Sequence, residues 1–435
     1  MKSLDDLFNS RKTQINYSDG QKQALLKIYK FLISNDNFFL LAGYSGCGKT
    51  TIAENIANFT GCDLLAPTNA AVNRLREKID NSKLNYKTIH SKLFSATDEN
   101  NNFLANKTFS KNSIYIVDEC SMVDKYVLDI MIFQAVKHNC KLIFIGDSFQ
   151  LEPVGENPNI FNWEKVNPSV FKLENKYELT EVKRYDGSLL KIATEMRINK
   201  KSEFKLEVES DLLIVKKFSS ALAKDIIKNN NYVVLTSTNE RRMLYNKKIR
   251  SYLFAETKIS NYVKNNDVLV SVSNSGNYAN GEIFIIKNAK LLSEFTIFVE
   301  GKKNKTLKLN ILLYRHEGEL TVLIPELAES SIHGKQLLSG ITNSKNIIDK
   351  NVFEVLINKK FYYGKLSMHF NRAVNIATYG YAISCHKAQG QEWDNVYIDP
   401  DFLMPVWDNA KWFYTAITRA KNKVEIIKNS YLTIN

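Results

Sequence analysis

Apolar residues along this chain gather into short runs in its first part and into alternating patterns further on, and the change marks the architecture. Residues 38–42, 63–66, 114–117 and 141–145 are mostly apolar runs of four or five residues, as expected of strands buried on both faces of a parallel sheet. Helical stretches such as 51–57 separate them, which predicts βα units over residues 1–183. A polar, Asn-rich stretch at 95–113 interrupts that pattern and predicts a protruding loop or hairpin. A second α/β region opens near Arg184, with a strand at 232–236 and a helix over 239–254. Between 263 and 369 the texture turns to short alternating runs at 282–286, 296–299, 307–314 and 320–324, divided by Gly, Asn and Lys turns. This reads as a β-rich module. The α/β texture returns at 395–398 and 424–427. The expected fold is α/β with parallel sheets in two domains, 1–183 and 184–262 plus 370–435, the second interrupted by the module at 263–369.

Chemistry concentrates where those strands end. Gly43-Tyr44-Ser45-Gly46-Cys47-Gly48-Lys49-Thr50 follows the first run and precedes a helix. It fits the loop that wraps nucleoside triphosphate phosphates with backbone N–H groups, with Lys49 on the β/γ-phosphates and Thr50 on Mg²⁺. The helix N-terminus favours the same anion. Ile114-Tyr115-Ile116-Val117 ends in Asp118-Glu119; behind such a loop, Asp118 would hold Mg²⁺ through a water and Glu119 would polarise the attacking water. Another strand ends in Gly146-Asp147-Ser148-Phe149-Gln150, where Gln150 can reach the γ-phosphate or that water. Gln21 offers an amide that can pair with an adenine edge. Arg184 and Arg419 are candidate fingers for the charge on the transferring phosphoryl group. Pro67, Thr68, Asn69 and His90 in the first region, and Ser384, His386 and Lys387 in the second, supply groups suited to phosphate and sugar contacts.

Net charge then narrows the partner. The 435 residues carry 59 Lys and Arg against 46 Asp and Glu, a net +13, with no long block of like charge. That excess favours a polyanion, nucleic acid before membrane surface. The five cysteines lack a C-x-x-C spacing, which argues against a disulfide framework or a zinc site and fits a reducing compartment. Cys47 inside the loop would expose the site to thiol reagents. The charged first twelve residues do not read as a signal peptide, and no apolar run approaches the length of a membrane span.

Taken in order, Gln21, 43–50, 66–71, 88–91, Asp118-Glu119, 146–150, Arg184, 384–392 and Thr418-Arg419 resemble the motif set of superfamily 1 helicases. Gln150-Leu151-Glu152-Pro153-Val154 and Leu179-Thr180-Glu181-Val182-Lys183-Arg184 resemble its RecD-like branch, superfamily 1B, and within it the Dda-like members. The resemblance implies two RecA-like P-loop domains with ATP between them and single-stranded DNA across their top. It places an SH3-like β-rich domain at 263–369 and a strand-separating pin at 95–113, with Phe103 as its wedge. Gly43, Ser45, Gly46, Gly48, Thr51 and Glu392 join Gln21, Lys49 and Thr50 as nucleotide contacts. Asn239 and Asn246 join the DNA contacts. ATP and Mg²⁺ are the implied cofactors, single-stranded and forked duplex DNA the implied partners. A single-strand-binding protein or replisome components, a monomeric or weakly associating chain, and the cytoplasm of a bacterium or phage-infected host complete the expectation. A 3′→5′ motor, an RNA-directed motor and a binding module with an inactive ATP site are the alternatives.

Overall fold

A computed structural model describes residues 3–11, 15–94, 105–152, 169–182, 187–199, 205–206, 212–215, 219, 223–224, 232–253, 262–272, 278, 280–300, 306–317, 319–325, 374–399, 409–427 and 433–434. The chain divides into two compact units. One comprises Met1–Ile214, Gln389–Asn395 and Phe402–Asn435; the other comprises Val215–Ala388 and Val396–Asp401.

The first unit is built on six parallel strands: β1 (Phe38–Gly43), β2 (Asp63–Ala66), β3 (Tyr86–Thr88), β4 (Ile114–Val117), β5 (Lys141–Gly146) and β6 (Lys176–Leu179). Their order in the sheet is β3-β2-β4-β5-β1-β6. The apolar runs at 38–42, 63–66, 114–117 and 141–145 are all strands, as expected. The edge strands β3 and β6 carry too few buried positions to stand out as apolar runs. Side chains alternate across the sheet. Phe39, Leu41, Ile116, Ile143 and Ile145 enter one core layer with Leu25, Ile28, Ile52 and Ile56. Leu40, Ala42, Tyr115, Val117, Leu142 and Phe144 enter the opposite layer with Leu128 and Met131. Phe144 is fully buried, so its truncation to alanine would cost about 3–5 kcal/mol.

Local signals set the helices. α1 (Leu4–Phe8) and α2 (Asp19–Ile33) each begin with a capping box, from Ser3 and Ser18. α3 (Lys49–Thr60) ends on Gly61 at φ 70°, a left-handed cap that glycine adopts without strain. Thr68 and Asp124 cap α4 (Asn69–Ile79) and α6 (Lys125–Lys137) through their side-chain oxygens, and Thr88 caps α5 (Ile89–Leu93) likewise. α7 (Gly187–Asn199) and a helix at Asn409–Ile417 belong to the same unit. The strand order matters for chemistry. β5 lies between β4 and β1, pairing Val117 with Phe144 and Gly146 with Ala42. The C-terminal ends of all three strands therefore lie side by side, where ligands of such sheets bind.

The second unit holds a parallel pair, Tyr232–Thr236 with Ala382–Ser384, and the helix Asn239–Leu253. Its larger sheet has six strands in the order Ile283–Ile285, Val268–Ser271, Val374–Tyr379, Glu319–Leu323, Thr306–His316 and Lys290–Glu300. All neighbours are antiparallel except Glu319–Leu323 with Val374–Tyr379. The β-rich texture expected from residue 263 onward is present, and the strand at Val374–Tyr379 also joins this sheet. Leu269, Phe284, Leu312, Tyr314, Leu323 and Tyr379 form its core. Most of the expected pin, with Phe103, and Arg184 lie outside the described residues.

Candidate active site

The loop between β1 and α3 reverses tightly around its glycines. Gly46 and Gly48 adopt φ of 81° and 87°, values that side chains resist. Gly43 is crowded instead: a Cβ there would lie 2.8 Å from the Leu179 carbonyl oxygen. Lys49 Nζ donates to the carbonyls of Gly43 at 2.9 Å and Tyr44 at 2.8 Å. Gln21 uses both ends of its amide within the chain. Nε2 donates to the Cys47 carbonyl at 3.2 Å, and Oε1 accepts from the Ser18 N–H at 3.1 Å. The residue expected to read a base edge thus fastens the loop and caps α2. Cys47 is 1% exposed and burial pushes its thiol pKa up, so it packs as a small filler. The expected access for thiol reagents is absent.

A cavity of about 530 Å³ opens over this loop, within the size range of small-molecule sites. Ser45, Gly46, Gly48, Lys49, Thr50 and Thr51 form its floor. Asp118, Glu119 and Gln150 form one wall, and Arg74, Lys78, Glu392 and Arg419 another. Arg11, Ile15, Asn16 and Gln21 line it as well. Every described residue of the expected catalytic set reaches this one space, and so does every expected nucleotide contact except Gly43.

The acids follow from the sheet. β4 pairs with β2, and the Asp118 N–H donates to the Leu65 carbonyl at 2.9 Å. Burial first, and Glu119 second, push the Asp118 carboxyl up to about 6, while Arg74 and Lys49 pull it back. An acid pair lining the same cavity as Thr50 favours a cation, because a positive charge restores the ionised form. The donors fit Mg²⁺, which takes one or two carboxylates and completes its shell with waters and phosphate oxygens. No cage of three or more His, Cys, Asp or Glu occurs among the described residues. Glu119 turns through φ 51° at the end of β4, a conformation uncommon outside glycine. Its Oε1 lies 3.6 Å from the Arg74 guanidinium. Gln150 is 4% exposed, and its Oε1 has no hydrogen-bond partner among the described residues. Such a buried acceptor is unusual and is suited to receive a water proton. Arg419 is held by the carbonyls of Thr415 at 3.0 Å and Gln391 at 3.3 Å, and by Thr418 Oγ1 at 3.2 Å.

Sequence reasoning missed Arg74, which donates to the Gly390 carbonyl at 3.1 Å and pairs with Glu392 as well as Glu119. Glu392 also receives Lys78 at 3.4 Å. It missed a second cluster behind the loop. Asp147, fully buried, binds Arg197, the Tyr414 hydroxyl at 2.6 Å and the Phe149 N–H at 3.0 Å. Burial would raise the Asp147 carboxyl, but Arg197, then Lys49 and Tyr414, outweigh it and hold it below its ordinary value.

Among the expected DNA contacts of the first unit, Pro67, Thr68, Asn69 and His90 sit half-buried just past the ends of β2 and β3. Thr68 Oγ1 accepts from Ala71 N–H at 3.2 Å, and His90 stacks on Phe94 at 5.1 Å. In the second unit Asn239 begins its helix, and Ser384, His386 and Lys387 are partly exposed, with Lys387 donating to Asn280 at 3.2 Å. Asn246 lies elsewhere. It is 3% exposed, and its amide bonds both ways to the backbone of Ala382, at 2.9 and 3.0 Å. It pegs the helix to the neighbouring strand from inside the unit.

Comparison with known proteins adds relatives. Residues 16–212 match the family described as an AAA domain, and residues 379–427 match the UvrD-like helicase C-terminal domain. The chain is similar to the ATP-dependent DNA helicase dda of Enterobacteria phage T4, 31% identical over 42% of this chain and 43% of that protein. It is similar to the RecBCD enzyme subunit RecD of Buchnera aphidicola subsp. Schizaphis graminum, 25% identical over 96% of this chain and 75% of that one. Among solved structures, a Pif1 helicase from Bacteroides in complex with ADP-AlF3 and ssDNA shares the fold. Its TM-score is 0.53 at 18% identity, covering 97% of this chain and 94% of that chain.

Proposed function

We propose that the chain is a superfamily 1B helicase, a DNA-dependent ATPase that moves 5′→3′ along single-stranded DNA and separates duplex strands; the matches to the AAA domain and the UvrD-like helicase C-terminal domain and the likeness to dda and RecD support this reading. The observation that carries this is the single cavity that gathers Lys49, Thr50, Asp118, Glu119, Gln150 and Arg419. Backbone N–H groups of the loop and Lys49 bind the triphosphate. Thr50 and Asp118 would hold Mg²⁺, which neutralises charge on the phosphate oxygens when bound. Glu119 orients and deprotonates the attacking water, and Gln150 accepts a hydrogen bond from it. Arg419 stabilises charge on the transferring phosphoryl group. Arg74 tethers Glu119 and Glu392 so that the base and the outer wall keep one spacing.

Pro67, Thr68, Asn69, His90, Ser384, His386 and Lys387 are the groups that would hold the strand, and the net +13 charge favours its approach. Work on DNA in replication, recombination or repair, in a bacterial or phage-infected cell, is the setting this reading fits. The test uses duplexes with a single 5′ tail or a single 3′ tail, in DNA and in RNA. Unwinding of the 5′-tailed DNA alone, lost in Lys49→Ala, is the expected result. Preference for the 3′ tail or for RNA would replace the reading with one of its alternatives.

A further inference from the structure

We propose that Tyr414 and Arg197 are positioning residues of the hydrolytic reaction, clamping the second and third residues of the phosphate loop from behind in register with Gln150 and Arg419. The proposal rests on the ATPase reading of the cavity. None of Tyr414, Arg197 and Asp147 lines that cavity, yet each reaches its working parts. The Tyr414 hydroxyl accepts the Ser45 N–H at 3.1 Å and donates to Asp147 Oδ2 at 2.6 Å. Arg197 lies 4.2 Å over the Tyr44 ring while binding Asp147, Ser148 Oγ at 3.2 Å and Glu178 at 2.6 Å. Asp147 therefore joins two helices to loop residues 44 and 45 and to the turn that carries Gln150.

The helix at Asn409–Ile417 has further attachments one residue on. Thr415 Oγ1 accepts the Leu151 N–H at 3.0 Å, and the Thr415 carbonyl accepts Arg419 Nε at 3.0 Å. Gln389 Nε2 donates to the Leu151 carbonyl at 2.6 Å. A single turn of helix thus touches the phosphate loop, the residue after Gln150, and Arg419. Removing the Tyr414 hydroxyl frees the loop from that turn and leaves a buried N–H and a buried carboxylate oxygen each short of a partner. Direct nucleotide contacts remain, so binding survives. The spacing between the loop and the groups that act only in the transition state relaxes, so turnover suffers.

The test is steady-state ATPase at saturating single-stranded DNA for the parent, Tyr414→Phe, Gln150→Ala and the double variant, with a thermal midpoint for each. Tyr414→Phe should lower kcat about tenfold and leave the KM for ATP within about twofold. In the Gln150→Ala background the same change should have little further effect, since both losses act through one geometry. Arg197→Lys, which keeps the charge but loses the planar fork and the stacking, should show the same split, and it carries the test if Tyr414→Phe does not fold. Parental kcat in folded Tyr414→Phe and Arg197→Lys would overturn the proposal. A loss confined to KM, or one equal in both backgrounds, would do so too. A parent that does not hydrolyse ATP would overturn the ATPase reading first, and this proposal with it.

Discussion

Among the described residues, two buried arginine–aspartate pairs share nearly the same construction, one in each compact unit. Arg197–Asp147 lies in the first and Arg250–Asp267 in the second. Both aspartates are fully buried, and the arginines are 8% and 3% exposed. Each guanidinium lies over a tyrosine ring, Tyr44 at 4.2 Å and Tyr379 at 4.0 Å. Each aspartate accepts a tyrosine hydroxyl, Tyr414 at 2.6 Å and Tyr381 at 2.9 Å. They differ in what else is attached. Tyr414 holds a phosphate-loop N–H. Asp267 takes the Lys264 N–H at 2.8 Å, and Arg250 donates to the Tyr262 carbonyl at 2.6 Å, which ties the helix Asn239–Leu253 to the start of the β-rich sheet. A buried ion pair is weak evidence for any role by itself; here its connections decide whether it serves reaction geometry or domain architecture.

Breaking each pair separates those roles. Asp267→Ala leaves the buried Arg250 charge without its carboxylate, and should cost about 3–5 kcal/mol of stability. Denaturant unfolding measures that loss, and the folded fraction in the cold should keep the parental kcat. Asp147→Ala should cost a similar amount and also lower kcat in whatever remains folded. Equal effects on kcat would erase the distinction. Milder changes sharpen it. Tyr381→Phe and Tyr414→Phe each delete one buried hydroxyl, at about 1–3 kcal/mol, yet only Tyr414→Phe should change turnover.

The smallest expected effect near neutral pH is a pH dependence in the second unit. Burial lowers the His386 imidazole to about 4 from an ordinary 6.5. The unfolded chain therefore takes up the proton first as pH falls. Stability from this group is complete above about 6.5 and is lost progressively towards pH 4, with a loss of about 1 kcal/mol by pH 6. His386→Asn should flatten that part of the profile. An unchanged slope between pH 6.5 and 5 would assign the dependence to other groups.

How much was legible in the sequence follows from range. The phosphate loop could be read because its chemistry is local: Gly46, Gly48 and Lys49 must be neighbours for the backbone to curl and the amine to follow. The strands at 63–66, 114–117 and 232–236 match the structure residue for residue, since burial on both faces leaves an apolar run. The edge strands at Tyr86–Thr88 and Lys176–Leu179 carry no such mark. The positioning residues were invisible for a different reason. Tyr414 meets Asp147 across 267 residues of chain, and Arg74 reaches Glu392 and Gly390 from a helix whose sequence shows only ordinary amphipathic spacing. That Asn246 holds the backbone of Ala382, and Gln21 that of Ser18 and Cys47, was not legible either, since an amide is as suited to holding backbone as to reading a ligand.

The most direct test of the central claim is the ATPase rate with and without single-stranded DNA, for the parent and for Glu119→Gln. The substitution keeps the size of the side chain and removes the base. The account expects a rate that rises on adding single-stranded DNA, a fall of about a hundredfold or more in Glu119→Gln, and retained binding of ATP and DNA by that variant. A parent indifferent to DNA, or a Glu119→Gln variant that hydrolyses ATP at the parental rate, would contradict it.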